Sequence, residues 1–122
     1  MKTILIVDDQ MEVCELVDVT LSADDVRIIK ASKGDEAIEI AQREKPDLII
    51  MDIMMPGKIN GIEATRILKS DKSTRHISIL MLTAKGQDRD LEEGFKAGAD
   101  AYFIKPFSPL ELIRKVEEVF ES

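Results

Sequence analysis

Pro46-Asp47-Leu48-Ile49-Ile50-Met51-Asp52-Ile53-Met54-Met55-Pro56-Gly57 is the stretch on which the reading of this 122-residue chain turns. Leu48 to Met51 are apolar without alternation. A run so short and so uniformly apolar fits a strand buried on both faces, as in a parallel sheet lying under helices. Pro56-Gly57 then punctuates a loop. Asp52 is thereby predicted at the carboxyl end of a central strand, where open α/β sheets place their ligands. A carboxylate there is a metal ligand, a nucleophile or both.

Three further apolar runs lead outward from this one, and each ends in a chemically useful side chain. Met1 to Val7 delivers Asp8-Asp9, Ile77 to Leu82 delivers Thr83-Ala84, and Ala101 to Ile104 delivers Lys105-Pro106. Val26 to Ala31 is a fifth β-rich run, read as an outer strand. Helical patterns separate the runs. Val13, Leu16, Val17, Thr20 and Leu21 form one stripe, with Asp9 and Glu12 as a capping box at its start. Ser32-Lys33-Gly34-Asp35 is read as the cap of a second helix, carrying Ala37, Ile38 and Ala41. Gly61 to Lys69 gives a third helix, followed by a polar connector from Asp71 to His76. Leu91, Phe95 and Ala97 mark a fourth, closed by Gly98. Ser108-Pro109-Leu110-Glu111 opens a fifth, whose buried side is expected at Leu112, Val116, Val119 and Phe120.

Five βα units with short connections imply a doubly wound parallel sheet with right-handed crossovers and helices on both faces. Of the common strand orders, 2-1-3-4-5 (the flavodoxin-like arrangement) sets strands one and three side by side, which brings Asp8 and Asp9 to Asp52. Three crowded carboxylates repel one another unless a cation compensates, and hard oxygen ligands without a second histidine or cysteine suit Mg²⁺ better than zinc. Cys14 and His76 are single, which excludes an internal disulfide and paired-histidine metal motifs. The net charge of -7 is unfavourable for direct binding to nucleic-acid phosphates. No run approaches membrane-spanning length and no signal peptide is visible, so a cytoplasmic location without membrane insertion is expected.

Asp8-Asp9, Asp52, Thr83 and Lys105, in that order and each at a strand end, closely resemble the receiver domain of two-component response regulators, including the chemotaxis-regulator type. The resemblance covers residues 1–122, with no linker or second domain among them, so the chain is expected to be a stand-alone receiver or one taken from a longer protein. It implies that Asp52 is the phosphoacceptor. Mg²⁺ would be held by Asp8, Asp9, Asp52 and the Met54 backbone carbonyl, with Asp8 acting partly through water. Thr83 and Lys105 would meet the phosphoryl oxygens, consistent with phosphoryl transfer being mostly positioning and electrostatic stabilisation. The bond between Lys105 and Pro106 is expected to be cis. Thr83 and Tyr102 would form the conformational switch, and the face of helix 4, strand 5 and helix 5 would signal to a downstream protein. The phosphoryl donor would be a sensor histidine kinase or a phosphotransfer protein. Such a domain catalyses its own phosphorylation and slow dephosphorylation without being a conventional turnover enzyme. Met54 and Lys85 stand where the resemblance places the flanks of the attacking water, and the apolar Met54 is expected to slow hydrolysis.

Other features are less telling. His76 reads as an exposed loop residue. Cys14, beside the core stripe, is expected to join Met11 and Val19 in an exposed apolar patch that would suit a kinase helix. Gly57-Lys58-Ile59-Asn60-Gly61 contains one residue more than the family's usual Pro-Gly-x-x-Gly loop. Two rival classes fit less well. A flavodoxin-like binding module wants a hydroxyl- and glycine-rich phosphate loop where Asp8-Asp9 stand. A haloacid-dehalogenase-type phosphatase wants a second aspartate at the position of Met54 and a larger chain.

Overall fold

The computed structural model describes residues 1–55, 57–84 and 88–121, and the side chains of these other than 84 and 88–90. Ten elements alternate along the chain: β1 (Lys2–Val7), α1 (Met11–Leu21), β2 (Val26–Ala31), α2 (Gly34–Glu44), β3 (Leu48–Asp52), α3 (Gly61–Ser70), β4 (Ser78–Ala84), α4 (Asp88–Ala97), β5 (Ala101–Lys105) and α5 (Pro109–Glu121). The strands pair in parallel in the order β2-β1-β3-β4-β5, as expected from the acids on strands one and three. In register, Val7 pairs with Met51, and Asp52 with Leu82. The strand ends that carry polar residues therefore line up along one edge.

The sheet divides the apolar side chains into two cores by the two-residue period of its strands. Leu5, Val7, Ile49, Met51, Ile79 and Met81 point to the side of α2, α3 and α4. Ile4, Ile6, Leu48, Ile50, Leu80 and Leu82 point to the side of α1 and α5. Leu48, Ile49, Ile50 and Met51 have no exposed surface, so β3 is covered on both faces, which is why its sequence shows no alternation. Burying each such side chain is worth about 1.5–3 kcal/mol, and this makes β3 the anchor of the sheet.

Three local expectations are corrected. No side chain caps α1: its N-cap is Gln10, and Asp9 does not act as the cap. Likewise α2 begins after Lys33 without a side-chain cap, and Glu36 instead accepts a hydrogen bond from the Ser32 N–H at 2.8 Å. The buried face of α1 is Cys14, Val17 and Leu21. Cys14, expected beside the stripe, is only 5% exposed, whereas Leu16, expected on it, is 47% exposed. The stripe is rotated because α1 packs over β1 and β2 with α5 alongside, and the Cys14 thiol turns in to donate to the Asp8 carbonyl at 3.4 Å. Met11 and Val19 are exposed as foreseen. On α5, Leu112 and Val116 are buried, with Val119 and Phe120 partly covered against the same core.

Candidate functional site: an acidic cluster with a lysine

β1 ends at Val7, and the next residue, Asp8, turns the chain into α1 by accepting the Gln10 N–H on Oδ1 at 2.9 Å. Its own N–H is tied to the Ala31 carbonyl of β2 at 3.1 Å. Asp8 is buried, Asp9 beside it is exposed, and Asp52 at the end of β3 is 5% exposed. One ligand oxygen from each of the three carboxylates lies within 4.8 Å of the others. The sheet order thus brings Asp8, Asp9 and Asp52 together as the sequence suggested.

Lys105, the last residue of β5, reaches into the cluster across β4. Its Nζ stands 2.8 Å from Asp8 Oδ2 and 3.4 Å from Asp52 Oδ1. The peptide bond between Lys105 and Pro106 is cis, as expected. Thr83 is buried near the end of β4, paired in register with Ile104. Tyr102 is 40% exposed and meets the Phe95 ring of α4 edge-on at 5.5 Å between centroids. Met54, two residues past Asp52, is 62% exposed. With Asp9, Gln10, Asp52 and Lys105 it lines a cavity of about 260 Å³. Gln10 was not singled out from sequence, although its place directly after the acid pair was the available signal. Lys85 lies outside the described residues, as does Pro56.

Two backbone features hold Asp52 in place. The Ile53 N–H donates to the Leu82 carbonyl at 3.1 Å, and the Gly61 N–H to the Ile53 carbonyl at 3.0 Å. The start of α3 comes so close that a Cβ on Gly61 would run into the Asp52 carbonyl oxygen. The loop with the extra residue closes against α2, where a Cβ on Gly34 would lie 2.6 Å from the Ile59 carbonyl oxygen. Asn60, the last residue of that loop, caps α3 by accepting the Glu63 N–H on its side chain at 2.9 Å.

The electrostatics follow from this packing. Burial, reinforced by the charge of Asp8, pushes Asp52 up from 3.8 to about 6, against the pull of Lys105. Burial also works against the Lys105 ammonium, but its hydrogen bond to Asp8 and the field of Asp52 outweigh it and hold the group above its ordinary value. Burial raises the Cys14 thiol, with Asp8 adding to the effect. Among the described residues one ammonium, that of Lys105, faces three carboxylates, so the cluster keeps unbalanced negative charge around hard oxygen donors. That is the donor chemistry of a magnesium site, and the residues fit the ion.

Comparison with known proteins agrees with this geometry. Residues 4–117 match the response regulator receiver domain, and the chain belongs to that family. It is 43% identical over 118 residues to the phosphate regulon transcriptional regulatory protein PhoB of Pseudomonas aeruginosa, covering 97% of this chain and 51% of that protein. The chain spans about half the length of the curated relatives it matches. Among solved structures, a putative response regulator from Chloroflexus aurantiacus superimposes with a TM-score of 0.93 at 35% identity, covering 99% of this chain and 98% of that one. The chemotaxis response regulator CheY4 of Vibrio cholerae gives 0.89 at 31% identity, with 98% of each chain covered. Among the described residues, no helix is long and apolar enough to cross a membrane.

Proposed function

We propose that residues 1–122 form one receiver domain that takes a phosphoryl group onto Asp52 from a phosphohistidine, on a sensor histidine kinase or a phosphotransfer protein, and changes its partner binding in response. The observation that carries the reading is the Lys105 ammonium standing 3.4 Å from Asp52 Oδ1 inside a cluster of three carboxylates. An isolated surface acid has no such surroundings.

Asp52 supplies the nucleophilic oxygen. Lys105, already beside it, offers its ammonium to one phosphoryl oxygen as charge spreads over the transferring group, and Thr83 offers its hydroxyl to another. Asp8, Asp9, Asp52 and the Met54 carbonyl would hold Mg²⁺, which when bound supplies positive charge to the phosphoryl oxygens. Asp8 has a second task, since its Oδ2 holds the Lys105 Nζ at 2.8 Å and so positions it. We place the domain in the cytoplasm, where its phosphoryl donors work, and assign its output to the surface of α4, β5 and α5.

Acetyl phosphate with Mg²⁺ tests the reading. A persistent protein adduct of one phosphoryl group, lost when the metal is chelated beforehand, supports it. Steady release of inorganic phosphate from phosphoesters without an adduct would instead indicate a phosphatase.

A further inference from the structure

The methionines of this chain fall into two sets. Met51, Met55 and Met81 are sealed in the core at 9% exposure or less. Met1, Met11 and Met54 are open to solvent at 85%, 72% and 62%. Met1 is the first residue, but the other two stand on either side of the acidic cluster. Met54 lines the cavity that also contains Asp9, Asp52 and Lys105. Met11 lines a separate cavity of about 220 Å³ with Asp8, Asp9 and Cys14. A thioether exposed to solvent is open to peroxides, whereas a buried one is shielded.

We propose that Met54 is a peroxide-oxidation site through which an oxidant shortens the life of the phosphorylated state; the effect on lifetime rests on the function proposed above. The step is a two-electron transfer. The Met54 sulfur attacks one oxygen of a hydroperoxide, the S–O bond forms as the O–O bond breaks, and the departing hydroxide or alkoxide takes up a proton. Sulfur is oxidised to the sulfoxide, and the peroxide is reduced to water or an alcohol. The consequence follows from what the side chain offers before and after. The thioether is a weak acceptor and gives an approaching water no useful hydrogen bond. The sulfoxide oxygen is polar and accepts one strongly, on the wall of the cavity from which Asp52 is reached. A water ordered there attacks the aspartyl phosphate faster. Met11 undergoes the same chemistry, but its cavity includes neither Asp52 nor Lys105, so its oxidation leaves the lifetime unchanged.

Limited treatment with hydrogen peroxide, quenched and followed by peptide mass spectrometry, reads the site directly and needs no phosphorylation. Met54 and Met11 should gain oxygen well before Met51, Met55 and Met81. Treated and untreated protein are then phosphorylated with acetyl phosphate and Mg²⁺, the donor is removed, and loss of the phosphoryl group is followed. Decay should quicken about fivefold, the rate equivalent of one hydrogen bond's net contribution. Methionine sulfoxide reductase should restore the slow decay. Each variant is compared with its own untreated sample: Met11→Leu should keep the response, and Met54→Leu should lose it. Oxidation of Met54 no faster than that of the buried methionines, or equal decay of the sulfoxide and thioether forms, overturns the proposal. If untreated protein takes up no phosphoryl group at all, the proposed function fails and the lifetime effect with it, while the oxidation map still decides whether Met54 is the modified site.

Discussion

At Asp52 two influences oppose each other: burial and the nearby acids favour the neutral form, and Lys105 favours the charged one. The first pair prevails, which lifts the group from 3.8 to about 6. A carboxyl whose folded value lies above its unfolded value binds more protons in the native state. Its stabilising contribution is therefore complete below pH 3.8 and is lost as pH rises through about 6. At neutral pH without metal, the ionised Asp52 costs at most about 3 kcal/mol. Asp18, Glu44 and Asp71 are lowered by their partners and act in the opposite sense at lower pH, so the wild-type profile alone is mixed. The difference between wild type and Asp52→Asn isolates the effect. In chelator, the variant should be the more stable at pH 7, with the gap shrinking toward pH 4 in urea titrations. A gap independent of pH would show that Asp52 is not held in its neutral form by the fold.

At the scale of elements, α3 is pressed against the end of β3 at Gly61. Alanine ordinarily gains about 0.5–1 kcal/mol over glycine inside a helix. Here the added methyl would meet the Asp52 carbonyl, so Gly61→Ala should lose roughly 1–3 kcal/mol in chemical denaturation, the usual cost of overpacking. A stabilised variant would mean that the loop yields easily. On the same face of the sheet, at its β5 edge, Tyr102 stands half-exposed against Phe95 of α4. If the phosphoryl group draws the Thr83 hydroxyl toward it, space opens behind Thr83 and Tyr102 turns inward, remodelling α4, β5 and α5. Beryllofluoride should then shift the Tyr102 ring resonances, and an unchanged ring would place the switch elsewhere. The strands were readable from sequence because each is a bounded apolar run ending in a distinctive residue, and the acids on the first and third chose the sheet order. The face of α1 was not. Cys14, Leu16 and Val17 are all apolar enough to belong to a stripe, and the packing of α5 decides among them. Nor did the sequence show that Lys69 on α3 would bond the Ile77 carbonyl at 2.7 Å and Asp100 at 3.0 Å, because no local pattern links residues so far apart.

Over the whole molecule, 24 acidic residues against 17 basic ones give a field that disfavours further negative charge, most strongly where three carboxylates converge. A divalent cation that binds only the folded cluster stabilises the entire domain, by about 2.7 kcal/mol at a hundredfold excess over its dissociation constant. Mg²⁺ should therefore raise the melting temperature of the wild type, and much less that of Asp9→Asn. Equal shifts in the two proteins would place the ion away from the cluster. The proposed role of Asp52 as phosphoacceptor is put to the test by mass spectrometry of intact protein after acetyl phosphate and Mg²⁺. Wild type should gain one phosphoryl group, and Asp52→Ala, folded by circular dichroism, should gain none. Labelling of the alanine variant at the wild-type rate would mean that Asp52 is not the phosphoacceptor.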